Sequence, residues 1–168
     1  MTCITRQVIN VWVPFHSTLS HFLFQFYLSL KMSGVEGAPV VDLLCLDDTG
    51  SSVADIYSQD DGVMLGLTPA YNGWMGNIAL DTANGVILLE SVLMDINIKD
   101  HLGHYLGLWS VGLCAYRPGS SLGKTRCSGM AVRKRHFACS VPEPSGRLFI
   151  SDKKSGITAH IPSDRNFI

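Results

Sequence analysis

Four neighbouring residues, Asp48-Thr49-Gly50-Ser51, are the side chains in this 168-residue chain best spaced for chemistry. They follow the apolar run Pro39-Val40-Val41-Asp42-Leu43-Leu44-Cys45-Leu46. A β-leaning run that ends in an acid, a hydroxyl and a glycine describes a strand opening into a tight turn. Such a turn can hold one carboxylate at a strand end, where it can take or give a proton. Asp48 is that carboxylate. Thr49 can bond sideways, Gly50 lets another backbone approach closely, and Ser51 can donate to the outer carboxylate oxygen. Asp47, one residue earlier, points to the opposite face of the strand. A carboxylate buried there without a partner is costly, so either Asp47 finds water or a cation, or the site is distorted.

Other constellations compete with this turn. Gly119-Ser120-Ser121-Leu122-Gly123-Lys124-Thr125 nearly spells a phosphate-binding loop, but it has three residues between its glycines instead of four. Such a loop must also open a helix, and Arg126-Cys127-Ser128-Gly129 is a poor helix start. His101 and His104 could share a metal with Cys114, Cys127 and His136, yet Gly103 and the surrounding loop composition favour surface histidines and no metal. Arg133-Lys134-Arg135-His136 reads as a solvated basic face. Asp81-Thr82-Ala83 is a second near-copy of the acidic turn, and its Asn84-Gly85 continuation makes it a hairpin end.

The elements that must position these residues are mostly strands. Charged residues make up 16% of the chain and hydrophobic ones 46%, which fits one globular domain rather than a disordered chain. A net charge of -1 argues against a general nucleic-acid binder. Five cysteines without a Cys-x-x-Cys pair read as free thiols in a reducing, cytoplasmic compartment, with an oxidised pair as the alternative. Phe15 to Leu30 is rich in aromatics and leucine, but too short and polar for a membrane span. It also lacks the basic start and cleavage site of a signal peptide. It reads as a packed helix, a weak membrane or targeting segment, or sequence upstream of a start at Met32, with Val8–Val13 as a candidate first strand. The division is then an N-terminal extension over 1–39, helical or partly disordered, and a domain over 40–168. Asn84-Gly85, between β-rich runs, is the strongest hairpin signal. Val92 to Ile98 alternates, with Asp95 and Asn97 opposed to Met94, Ile96 and Ile98, so one face is buried.

Asp48-Thr49-Gly50-Ser51 resembles the signature of aspartic peptidases. The order of elements after it is similar to the single-lobed, retropepsin-like kind, including uncharacterised fungal proteins carrying that domain. The resemblance implies an all-β, retropepsin-like closed barrel with a flap hairpin and one short helix over Ala131–Phe137. Terminal strands at Phe149-Ile150 and Ile157–Ile161 would flank a turn at Lys153–Gly156. It places the flap tip at Gly73-Trp74-Met75-Gly76 and the fold-completing glycine at Gly129. The family usually carries an apolar residue before the catalytic Asp and two before that glycine. This chain has Asp47 and the pair Cys127-Ser128. With one Asp-Thr-Gly, the second carboxylate of the dyad must come from a second chain across a two-fold axis. The implied activity is therefore an aspartic endopeptidase acting on peptides or proteins as a homodimer, with no cofactor and no membrane association. The alternatives are a catalytically silent domain of the same fold, serving dimerisation or peptide binding, and a nucleotide-binding protein with a degenerate phosphate loop.

Overall fold

A computed structural model of the chain describes residues 25–48, 50–100, 102–141 and 147–158. The first strand, β1 (Gln25–Met32), buries Phe26, Leu28 and Leu30 completely, while Tyr27 and Lys31 face outward. This period-two pattern suits a strand with one face in the core. β1 pairs antiparallel with β2 (Val41–Leu46), which sends Leu43 and Cys45 into the same core. Between them, Ser29 donates to Asp42 at 2.6 Å, and Asp42 also accepts from Lys99 at 2.5 Å.

After the Asp48 turn come β3 (Ala54–Tyr57), buried throughout, and the single-turn helix α1 (Asp61–Met64). β4 (Trp74–Thr82) and β5 (Gly85–Lys99) then form a hairpin closed at Ala83-Asn84. β6 (Ser110–Arg117) follows, then α2 (Met130–Arg133), β7 (Phe137–Val141), β8 (Arg147–Ser151) and α3 (Lys154–Thr158). Six strands make one sheet in the order β2-β1-β5-β6-β3, with β4 also on β5. The fifteen-residue β5 organises it. Along one edge it pairs first with β4 and then with β1, and along the other with β6. Its inward residues Val92, Met94, Ile96 and Ile98 are each at most 3% exposed, as the alternation predicts. β3 joins β6 in parallel, and β7 and β8 form a separate two-stranded sheet.

Several expectations change here. The boundary near Val40 and the helix through Leu30 do not hold over Gln25–Met32. That segment is an inner strand hydrogen-bonded on both edges, so the core begins before the linker-like Ser33–Pro39. Tertiary pairing decides the state of a short apolar run that composition leaves ambiguous. The candidate strand Val8–Val13 lies outside the described residues. The fold is predominantly β, but among the described residues its ladders do not close into a barrel. The edges β2 and β3 are joined by a short strap, residues 126–128, instead of by a strand ladder. The described residues hold three one-turn helices, not one. The helix expected over Ala131–Phe137 stops at Arg133, because Phe137 already pairs with Ser151. Phe149-Ile150 lies in a strand as expected. Lys154–Thr158 is helical, so Ile157 packs from a helix against Phe149 and Cys139.

Candidate active site

The strap fixes the acidic turn. Leu46, the last residue of β2, donates its amide N–H to the Arg126 carbonyl at 2.7 Å and accepts from the Ser128 amide at 2.9 Å. On the other side, the Asp55 amide donates to the Cys127 carbonyl at 3.1 Å. Residues 126–128 thus lie between the ends of β2 and β3, and the chain carrying Asp48 crosses from one to the other. Gly129 ends the strap and shows why glycine is required there. Its φ is 68°, and a Cβ at this position would lie 2.2 Å from the Val53 carbonyl carbon. Both the left-handed backbone and the backbone contact exclude any other residue.

Asp48 itself is half-buried. Its amide donates to the Leu46 carbonyl at 2.9 Å, and its Oδ1 accepts from the Gly50 amide at 2.8 Å. Gly50 therefore serves the site through its N–H, and what approaches it closely is the Asp48 side chain. Ser51 departs from its expected role: its hydroxyl donates to the Val53 carbonyl at 2.7 Å, tightening the turn without reaching Asp48. Thr49 lies outside the described residues. Cys127 faces the carboxylate, and its thiol is pushed up to about 12. Burial is the main cause, followed by the hydrogen bond to Asp48 and the negative charge of Asp55.

Three aspartate–arginine pairs surround this turn. Asp61, fully buried, receives two N–H donors from Arg126 at 2.7 and 2.8 Å and the Tyr57 amide at 2.9 Å. Asp55 accepts from Arg117 at 2.6 Å and from the Cys127 amide at 3.2 Å. Of the outcomes open to Asp47, the structure shows the cation. Arg133 of α2 donates Nε to its Oδ1 at 3.1 Å and Nη2 to its Oδ2. Arg133, read from sequence as part of a solvated face, is thus half-buried and paired, while Lys134 and Arg135 are exposed. The only sequence signal for it was the unmet charge of Asp47. Arg126 and Asp61 carried no such signal, because they meet across 65 residues.

The residues assigned to a flap tip occupy the other end of the hairpin. Gly73 accepts the Leu93 amide at 2.8 Å, and Trp74 opens β4 with its ring edge-on to Tyr116 at 5.0 Å. The Trp74 indole N–H donates to the Thr68 carbonyl at 2.9 Å, and a bulge follows at Met75-Gly76. This is an anchored base. The tip is Thr82–Gly85, where the Thr82 hydroxyl donates to the Gly85 carbonyl at 2.7 Å, so Asp81-Thr82-Ala83 is a hairpin end as read. The distal hairpin extends past the last β5–β6 pair, Glu90 with Tyr116, and exposes Val86 and Leu88. An open groove of about 280 Å³ lies along its flank, lined by Ser58, Asn77, Leu88, Glu90, Tyr116 and Pro118 among others.

The glycine-serine loop after β6 is already occupied by an acid. Asp60 Oδ2 accepts the Ser121 amide at 2.5 Å and the hydroxyls of Ser121 and Ser120 at 2.6 and 2.9 Å. These bonds, the Ser121 hydroxyl first, hold Asp60 below its ordinary 3.8. A phosphate would have to displace that carboxylate, and the next helix begins only at Met130. His104 turns its ring toward Asp100 at 3.3 Å, and Asp100 also caps the amides of Leu102 and His104. His101 lies outside the described residues, and the described residues hold no group of three or more metal-ligating side chains. No helix among them is long and apolar enough to cross a membrane. No protein-family model matches the chain, and no curated protein sequence matches it.

Proposed function

We propose that the chain is an aspartic endopeptidase of the retropepsin-like kind, in which Asp48 and its copy on a second chain form the dyad. The observation that carries this reading is the setting of Asp48. It is a half-buried carboxylate at a strand end, fixed by the Gly50 amide, on a turn tied at Leu46 to a strap that ends in an obligatory glycine. Two such carboxylates close together share one proton. The ionised one draws a proton from a water as it attacks the peptide carbonyl, while the protonated one donates to the carbonyl oxygen. The β4–β5 hairpin, free of the sheet beyond Glu90, is the element available to cover a bound peptide and exclude water. Its covering end would be Thr82–Gly85.

A second reading is favoured by one observation: the Ser51 hydroxyl is committed to Val53, so the outer oxygen of Asp48 lacks that donor. In this reading the same domain is catalytically silent and serves dimerisation or peptide binding. Cleavage of a mixed peptide library across acidic to neutral pH separates the two. The peptidase gives a bell-shaped profile that falls by roughly 10²–10⁴-fold in Asp48→Asn. A folded dimer, verified by sedimentation, that cleaves nothing supports the silent module.

A further inference from the structure

We infer that Arg133 is a positioning residue of the dyad. By pairing with Asp47 it keeps an uncompensated negative charge from standing beside Asp48, and so sets the pH range over which Asp48 exchanges its proton. The inference rests on the reading of Asp48 as a dyad acid. Its basis is the pattern of charge around the turn. Asp47 and Asp48 are adjacent in sequence, and the Asp47 side chain is only 5% exposed. Two N–H groups of one guanidinium meet its two oxygens, and that guanidinium comes from a different element, 86 residues away. The two aspartates that the strap bonds to, and the strap's own thiol, are likewise balanced or neutral. Asp55 on β3 has Arg117, Asp61 on α1 has Arg126, and the Cys127 thiol on the strap stays protonated. Among the described residues, Asp48 alone of these four aspartates has no arginine. The arginines thus leave one unbalanced carboxylate at the turn, which is the condition for it to meet its copy and share a proton.

The consequence has a sign that a purely structural role would not produce. Arg133→Gln leaves Asp47 charged and unpaired, and a like charge disfavours ionisation of Asp48, so its titration moves up. Asp47→Asn leaves Arg133 unpaired, and its positive charge moves the Asp48 titration down. The double variant Asp47→Asn/Arg133→Gln carries neither charge and returns the titration close to that of the native chain. Each single shift should be about 0.5–1 pH unit for charges separated by a strand's thickness. Arg133→Lys keeps the charge with one donor in place of a bidentate fork, and it should hold the native titration.

The test is the pH titration of the Asp48 carboxyl carbon by NMR in the full-length chain, alongside the pH profile of peptide cleavage. Opposite shifts in the two single variants, cancelled in the double variant, support the inference. Shifts of the same sign, or none in folded variants, overturn it. If the native chain cleaves no peptide, the peptidase reading fails, and the carboxyl titration still decides the coupling. If Arg133→Gln does not fold, Asp47→Asn against the double variant carries the sign on its own. A downward shift reversed by the second substitution supports the pairing, and an unreversed one overturns it.

Discussion

At the scale of single residues, neighbouring groups of the same chemistry are given different tasks by their surroundings. Asp47 is paired with Arg133, while Asp48 accepts one backbone donor and, among the described residues, pairs with no arginine. Asp60 is held below 3.8 by its serine donors, so its contribution to stability is present above that value. It is lost as pH falls through the depressed folded value. The Ser121 amide resonance, which reports the bond to Asp60, should titrate below 3.8 in the native chain and stop titrating in Asp60→Asn. Burial raises the Cys45 and Cys127 thiols to about 12 from 9.0. The unfolded chain then ionises first, and their contribution to stability falls as pH rises from about 9 toward 12. Both thiols should resist alkylation at pH 8 in the folded protein and react on denaturation, as read by mass spectrometry. Ser128 is fully buried, and its hydroxyl has no hydrogen-bond partner among the described residues. Ser128→Ala should therefore stabilise the fold by about 1 kcal/mol in denaturant unfolding, since it removes an unsatisfied polar group. Gly129→Ala should destabilise by on the order of 3–5 kcal/mol, because both its φ and the Val53 backbone forbid a Cβ.

At the scale of elements, the strap and the hairpin carry the consequences. The strap has only a few backbone bonds to β2 and β3. Its position depends on Arg126 reaching Asp61 and on the Cys127 amide reaching Asp55. Arg126→Met leaves Asp61 charged and fully buried, and breaking such a pair costs about 3–5 kcal/mol. The paired change Arg126→Met/Asp61→Leu should recover much of that loss, a comparison that chemical denaturation resolves. The hairpin behaves differently, because its distal half is solvent-exposed on both faces. Gly85 has a φ of 104° at the tip. Gly85→Ala should cost about 1 kcal/mol or more through backbone strain, with the change in hydrogen exchange confined to residues 77–90. If the hairpin covers the substrate, peptide cleavage in that variant should fall by more than its loss of folded protein accounts for.

At the scale of the whole molecule, β1 is indispensable. It supplies Phe26, Leu28 and Leu30 to the core and bonds to β2 on one edge and β5 on the other. A chain begun at Met32 would leave β2 without its neighbour and open the core. It should be insoluble or lack cooperative unfolding, whereas a chain begun just before Gln25 keeps every described strand. The proposed dyad makes a further demand on the assembly: activity should rise with protein concentration through the dimer dissociation range, and a monomer should be inactive.

Much of the strand content and the acidic turn could be read from local pattern. The alternation of Val92 to Ile98, the Asn84-Gly85 turn and the run into Asp48 are short-range signals. Period-two burial and φ-positive turn residues are properties of neighbouring positions. The sequence alone also raised a cation as one partner for Asp47, beside water or a distorted site, because neighbouring strand residues point to opposite faces. It could not name that cation, since Arg133 stands 86 residues away and looked like one of three basic residues on a wet surface. The state of Gln25–Met32, the anchoring of Gly73-Trp74-Met75-Gly76 at the base of the hairpin and the occupation of the glycine-serine loop by Asp60 were equally hidden. Each depends on a partner distant in the chain. Pairing across a sheet and between buried charges is decided by which distant segments fold together, and only the tertiary structure contains that information.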